Sequence, residues 1–213
     1  MRDRRSFFCI AAALVAAALL TGGILYHREC VAKEQVYRLQ KHLAEEVFRF
    51  HVLANSDSEE DQAVKLQVKD AVVTYMKKYL TDAADARETK KWCQEHLSEI
   101  TEVAEEVLRR EGFSDSVRAQ VTKCDFPDKS YGDITFPAGT YDALRIQIGE
   151  AKGHNWWCVL YPDLCFIDAV HAVVPEEGKE KLKNVLTNEE YDMVTAMKSF
   201  RVKWFFFGNE NEG

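Results

Sequence analysis

From Phe7 to Leu25 the chain reads FFCIAAALVAAALLTGGIL, 19 residues without a charge. A helix needs about 20 such residues to cross a bilayer, so this run limits the fold more than any other feature. Arg2, Arg4 and Arg5 precede it. A basic flank of this kind stays in the cytosol, which directs the rest of the chain to the far side of the membrane. The alternative, a helix buried in a protein core, is disfavoured because no polar face interrupts the run. Thr21-Gly22-Gly23 is only an approximate version of the small-residue pattern that precedes signal cleavage. No Leu-x-x-Cys lipoprotein box stands before Cys30. Residues 1–28 therefore read as a signal or anchor segment, with an uncleaved anchor preferred.

Charge and cysteine usage fit an exported body. The net charge is -7, and Arg2, Arg4 and Arg5 make the extreme N-terminus basic, so the remainder is more acidic still. That balance argues against a nucleic-acid partner, which would be met by a basic patch. With 213 residues the chain can bury one real core. Disulfides are permitted outside the cytosol. Cys9 and Cys30 lie in or just beyond the apolar run, whereas Cys93, Cys124, Cys158 and Cys165 lie in the body. Four cysteines allow three pairings, and sequence alone does not choose among them.

Residues 29–46 read as a charged helical stalk. VFRFHVLA, Val47 to Ala54, places Phe48, Phe50, Val52 and Ala54 on one face, so it reads as a half-buried strand. Asp57 or Ser58 can cap the next helix, with Glu60 or Asp61 three residues on. Apolar spacing carries that helix through Leu80, and a second helix runs from about Asp85 to Glu111. Ser116–Phe126 and Thr140–Gly149 alternate as strands, and FPDKSYGDITFPAG between them reads as a loop. Thr187–Glu190 is a capping box opening a short helix. FRVKWFFFG, Phe200–Gly208, reads as a strand, and residues 209–213 as a disordered tail. Strands and helices come in runs, which favours an α+β domain over residues 47–208, with a mostly antiparallel sheet packed by two longer helices.

GHNWWCVLYPDLCF, Gly153–Phe166, is the stretch richest in chemical possibility. Cys158 with His154 and Asn155 nearby could be a thiol site, since a nucleophilic Cys needs a base and an orienting group. Such partners usually come from distant sequence, and His51 and His171 are alternative bases. A carboxylate pair for hydrolysis has no local motif to nominate it. Six residues separate Cys158 from Cys165, too many for a zinc pair. The acidic run Asp57–Asp61 lacks the spacing of a calcium loop. A stapled aromatic loop accounts for more of the stretch. Gly149 and Gly153 allow a sharp exit from the preceding strand. Tyr161-Pro162-Asp163 is turn-prone. In an extended segment Trp156 and Trp157 point opposite ways, which leaves one of them to anchor a partner. No metal and no cofactor are expected.

Three blocks together resemble the stage II sporulation protein R family: FHVLANSDSEEDQAVKLQVKDAV, FPAGTYDALRIQIG and GHNWWCVLYPDLCF. Members also begin with a membrane or signal segment. They often carry Gly where Ala151 stands and a second Pro where Asp163 stands. The resemblance implies a protein made in the forespore of endospore-forming Firmicutes and exported into the space facing the mother cell. There it would activate a membrane-embedded aspartic protease that removes the pro-sequence of sigma-E. The protein would be a signal rather than an enzyme. The expected partner-binding residues are His154, Asn155, Trp156, Trp157, Tyr161 and Pro162, with His51, Asn55, Ser56 and Asp57 at a strand-to-helix junction. A Cys158–Cys165 disulfide would shape the loop. An exported cell-envelope hydrolase is the alternative, and a membrane-tethered scaffold the third possibility.

Overall fold

The apolar run is helical, and it continues without a break into the charged segment that follows: α1 spans Arg2–Glu46. The structure is a computed structural model that describes residues 2–80, 84–162, 165 and 176–205. The chain divides into two compact units, Met1–Leu39 and Gln40–Gly213. In the first unit Phe7 is 70% exposed and Leu19 73%. The length and apolar composition of α1 suit a helix whose solvent is lipid. Among the described residues it is the one helix long and apolar enough to cross a membrane. The boundary between units falls inside the segment read as a stalk.

The second unit opens with the last residues of α1. There Leu43 is buried, and His42 Nδ1 lies 2.9 Å from Glu190 Oε1. Then come β1 (Phe48–Leu53), α2 (Glu59–Tyr79), α3 (Ala86–Glu95), α4 (Leu97–Arg110), β2 (Val117–Phe126), β3 (Lys129–Tyr131), β4 (Ile134–Phe136), β5 (Gly139–Ile148), β6 (Asn155–Tyr161), α5 (Glu176–Val185) and α6 (Asn188–Phe205). The four-stranded sheet has the order β2-β5-β1-β6. β1 runs parallel to β5 and antiparallel to β6, and β2 runs antiparallel to β5. The expected α+β class with a mostly antiparallel sheet holds.

Strand alternation gives the sheet two different faces. Phe50, Val52, Leu144, Ile146, Ile148 and Cys158 meet Val64, Val68, Met76, Ile100, Ala104 and Leu108 of the helices in one core. Ser58 caps α2, its hydroxyl accepting from the Asp61 N–H at 3.1 Å, and Asp85 caps α3 in the same way at 2.8 Å. The opposite face carries Arg49, His51, Arg145 and Trp157.

Several elements differ from the sequence reading. β1 is buried on both faces, so it is a central strand and not a half-buried one. The single helix expected from Asp85 to Glu111 is two, because it breaks at His96. The His96 ring nitrogen Nδ1 there sits 2.9 Å from the Trp92 carbonyl oxygen. The expected loop over Phe126–Gly139 contains the β3–β4 hairpin, turned at Gly132, whose φ of 59° suits glycine. The capping box forms, with Thr187 and Glu190 bonded reciprocally, but α6 runs on through Phe205 where a strand was expected. Helix α5 was not foreseen. The expected tail, 209–213, lies outside the described residues.

Candidate partner-binding face

The junction after β1 and the loop after β5 are laced together by residues from two of the three sequence blocks. Glu150 N–H donates to Asn55 Oδ1 at 2.9 Å, Lys152 N–H to the Asn55 carbonyl at 3.1 Å, and Gly153 N–H to the Ala54 carbonyl at 3.0 Å. A Cβ at Gly153 would collide with the Ser56 carbonyl, so the close approach requires glycine. Ala151 sits at φ 53°, a left-handed conformation that glycine adopts more readily. This matches the family preference for Gly at that position.

Asn55 and Ser56 serve the fold. The Ser56 hydroxyl and the Asn55 amide both donate to Asp61 Oδ2, at 2.6 and 3.1 Å. These bonds, led by the one from Ser56, hold the Asp61 carboxyl below its ordinary pKa. A carboxyl lowered in the folded state adds stability above its unfolded pKa and loses it as the pH falls through the folded value. Asp61→Asn should cost about 1–2 kcal/mol at pH 7. It should also flatten the fall in stability below about pH 4, as read by urea unfolding across pH 3–7. An unchanged pH profile would remove Asp61 from this role. Asp57 and His154 are exposed and bonded to each other, with His154 Nδ1 2.5 Å from Asp57 Oδ1. Hydrogen bonds from the His154 side chain and then its backbone lower the Asp57 pKa.

Half of the Gly153–Phe166 stretch is strand, so the expected loop is corrected to β6 over Asn155–Tyr161, with a bridge from Cys158 in mid-strand to Cys165 beyond its end. Alternation in β6 sends the two tryptophans apart. Trp156 turns to the helical core, 5.7 Å from Phe50 in an edge contact, with Lys69 Nζ 5.1 Å above its ring. Trp157 turns to the other face and stacks on His51 at 4.9 Å and 12°. Phe126 of β2 closes on both, 5.3 Å from His51 and 4.7 Å from Trp157. Cys158 and Cys165 are joined by a disulfide, their Cα atoms 5.4 Å apart.

Tyr161 and Pro162 are buried, which corrects their expected place on a partner surface. The Tyr161 hydroxyl donates to the Ala84 carbonyl at 2.8 Å. Asp163, Leu164 and His171 lie outside the described residues. The alternative thiol site is not assembled among the described residues: Cys158 is bridged and 2% exposed, and His154 bonds Asp57 instead. Among the described residues no three His, Cys, Asp or Glu converge as a metal site would require.

Two strand registers place His51 opposite Arg145 on one side and Trp157 on the other, and Asn155 opposite Leu53. His51 is 4% exposed. Burial first, then the neighbouring Arg145 and Arg49, push its pKa down to about 4, so the ring is neutral at pH 7. Arg49 is fully buried beneath the hairpin. The structure thus brings His51, Asn155 and Trp157 together on one sheet face, Asn55–Asp57 with His154 at the nearby junction, and Trp156 elsewhere. Sequence reasoning passed over Arg49, Phe126 and Arg145. The available signal was the second phase of alternation in β2 and β5, where Phe126, Tyr141 and Arg145 recur on the same side.

Two comparisons place these residues among known proteins. Residues 44–171, from the end of α1 through β6 and beyond, match the family described as stage II sporulation protein R. Over 181 residues the chain is 35% identical to the Stage II sporulation protein R of Bacillus subtilis (strain 168), covering 76% of this chain and 81% of that protein. No solved structure matches. The match spans the whole sheet and both segments of the junction, and the chain belongs to the stage II sporulation protein R family.

Proposed function

We propose that this protein is a non-enzymatic signal. It is carried across the forespore membrane, anchored by α1 or released from it, and it activates the membrane-embedded aspartic protease that processes pro-sigma-E in the mother cell. The observation that carries the proposal is the stacked His51–Trp157 face, built within the family-matched residues of a domain that follows a membrane-length helix. A half-buried aromatic on a rigid sheet is the kind of residue that anchors a protein partner.

Co-expression of the full chain with the protease and pro-sigma-E in a non-sporulating host tests it. Processing should rise well above that with the protease alone. Trp157→Ala should remove about 2 kcal/mol of partner binding, and most of the rise with it. Lys123→Ala, at an exposed position of β2, serves as the surface control. No rise with the wild-type chain would reject the proposal.

A further inference from the structure

Five buried side-chain polar atoms lack a hydrogen-bond partner among the described residues: Arg49 Nη1, both ring nitrogens of His51, Arg145 Nε and Asn155 Oδ1. All five belong to the same face of the sheet, as the registers show. Folded proteins satisfy most such atoms, and each one left bare costs about 1–3 kcal/mol. Arg49 Nη1 is sealed beneath the hairpin, whereas the atoms of His51, Arg145 and Asn155 form a donor and acceptor set beside half-buried Trp157 that a polar ligand would satisfy.

We propose that the recess around His51 binds a carboxylate carried on an extended polypeptide segment, with Arg145 and Asn155 as its polar contacts and Trp157 as its wall. Charge selects the anion. The strand positions on this face carry Arg49, Arg118 and Arg145 and not one Asp or Glu, in a chain whose net charge is -7. A guanidinium fork matches a carboxylate in geometry. Hydrogen-bond polarity selects the carrier. A neutral imidazole offers one donor and one acceptor, and Asn155 Oδ1 accepts, so the occupant must donate as well as accept. A lipid phosphodiester only accepts. A peptide brings carboxylates, carbonyls and N–H groups together. Arg145, Asn155 and Trp157 are half-buried beside the buried ring, so solvent reaches this face at these three side chains. β6 is an edge strand of this sheet among the described residues, and an edge strand is where an extended segment pairs.

The site goes beyond the signalling role, and binding is measured without the protease, so either can fail alone. The test uses the full chain in neutral-detergent micelles and fluorescein-labelled hexaglutamate, read by anisotropy. Saturable binding is expected, with hexaglutamine weaker by about tenfold or more. Arg145→Gln should weaken hexaglutamate to a similar extent. In the wild-type chain the imidazole nitrogen resonances of His51 should shift on adding hexaglutamate, a readout that stands even if Arg145→Gln fails to fold. Absent binding, equal binding of hexaglutamine, or a His51 resonance that does not move would overturn the proposal. So would displacement of hexaglutamate by phosphatidylglycerol, introduced in nanodiscs, since that would assign the recess to lipid.

Discussion

Arg49→Ala should destabilise the folded domain by about 3–5 kcal/mol, the range for emptying a large buried side chain. Arg49 is completely inaccessible. Its guanidinium carbon lies 4.2 Å from the centre of the Phe126 ring, 5.0 Å from that of Tyr141 and 5.4 Å from that of Phe136. Nε donates to the Cys158 carbonyl at 3.1 Å, and Nη2 to the Tyr131 hydroxyl at 3.2 Å. No carboxylate among the described residues bonds it, so aromatic faces and neutral acceptors hold the charge. Burial lowers the Arg49 pKa, yet an arginine remains protonated in proteins. Volume and charge therefore make separable contributions. Arg49→Met fills most of the space and removes the cost of burying a charge, but it strands two acceptors, so it should lose only about 1–2 kcal/mol. Urea unfolding of the full chain in neutral detergent, followed by tryptophan emission, compares them. Equal losses for Ala and Met would mean that packing is not what Arg49 supplies.

Cys165→Ser should cost about 2–3 kcal/mol under oxidising conditions and almost nothing in reductant. The bridge spans a separation of seven residues. Closing so short a loop restricts the unfolded chain modestly. Cys165 is only half-buried, so a serine there carries little further cost. Cys158 differs, being 2% exposed and packed in the helical core. Cys158→Ser should lose the same bridge and also bury a hydroxyl, so part of its deficit should persist in reductant. Unfolding midpoints of both variants, with and without reductant, separate the two contributions. If Cys165→Ser matches the wild type in oxidant, the folded domain does not depend on the bridge. Catalysis by the Cys158 thiol would instead call for activity that survives only when the bridge is open.

The elements that sequence reveals best here are those with many repeats of one period. Helix α2 and strands β2 and β5 are long enough for alternation or helical spacing to be unambiguous, and Ser58 and Asp85 mark the starts of α2 and α3 chemically. β1 was readable as a strand but not as a central one. Arg49 and His51 occupy the phase that normally meets water, and nothing in FRFHVL says that Phe126, Trp157 and the hairpin will cover them. The three-residue strands β3 and β4 are shorter than periodicity can resolve, so their Pro and Gly residues read only as loop. The apolar run near Phe200 fits a strand or a helix equally, and the capped start at Thr187 decided for helix. The opposite orientation of Trp156 and Trp157 was legible from spacing. Which of them meets the core was decided by register with β1, a long-range property.

The position of β1 has a consequence for biogenesis. This strand is synthesised before every other strand of its sheet, yet the carbonyl that Arg49 bonds, that of Cys158, lies 109 residues later. Its neighbour on the other side, β5, also comes from the second half of the domain. Contacts so distant in sequence form late, after the intervening chain is available. As the chain is made, this first strand must wait, unpaired, until β5 and β6 have followed. The His51–Trp157 face then exists only once synthesis has passed Tyr161, so a chain stopped partway carries no finished face.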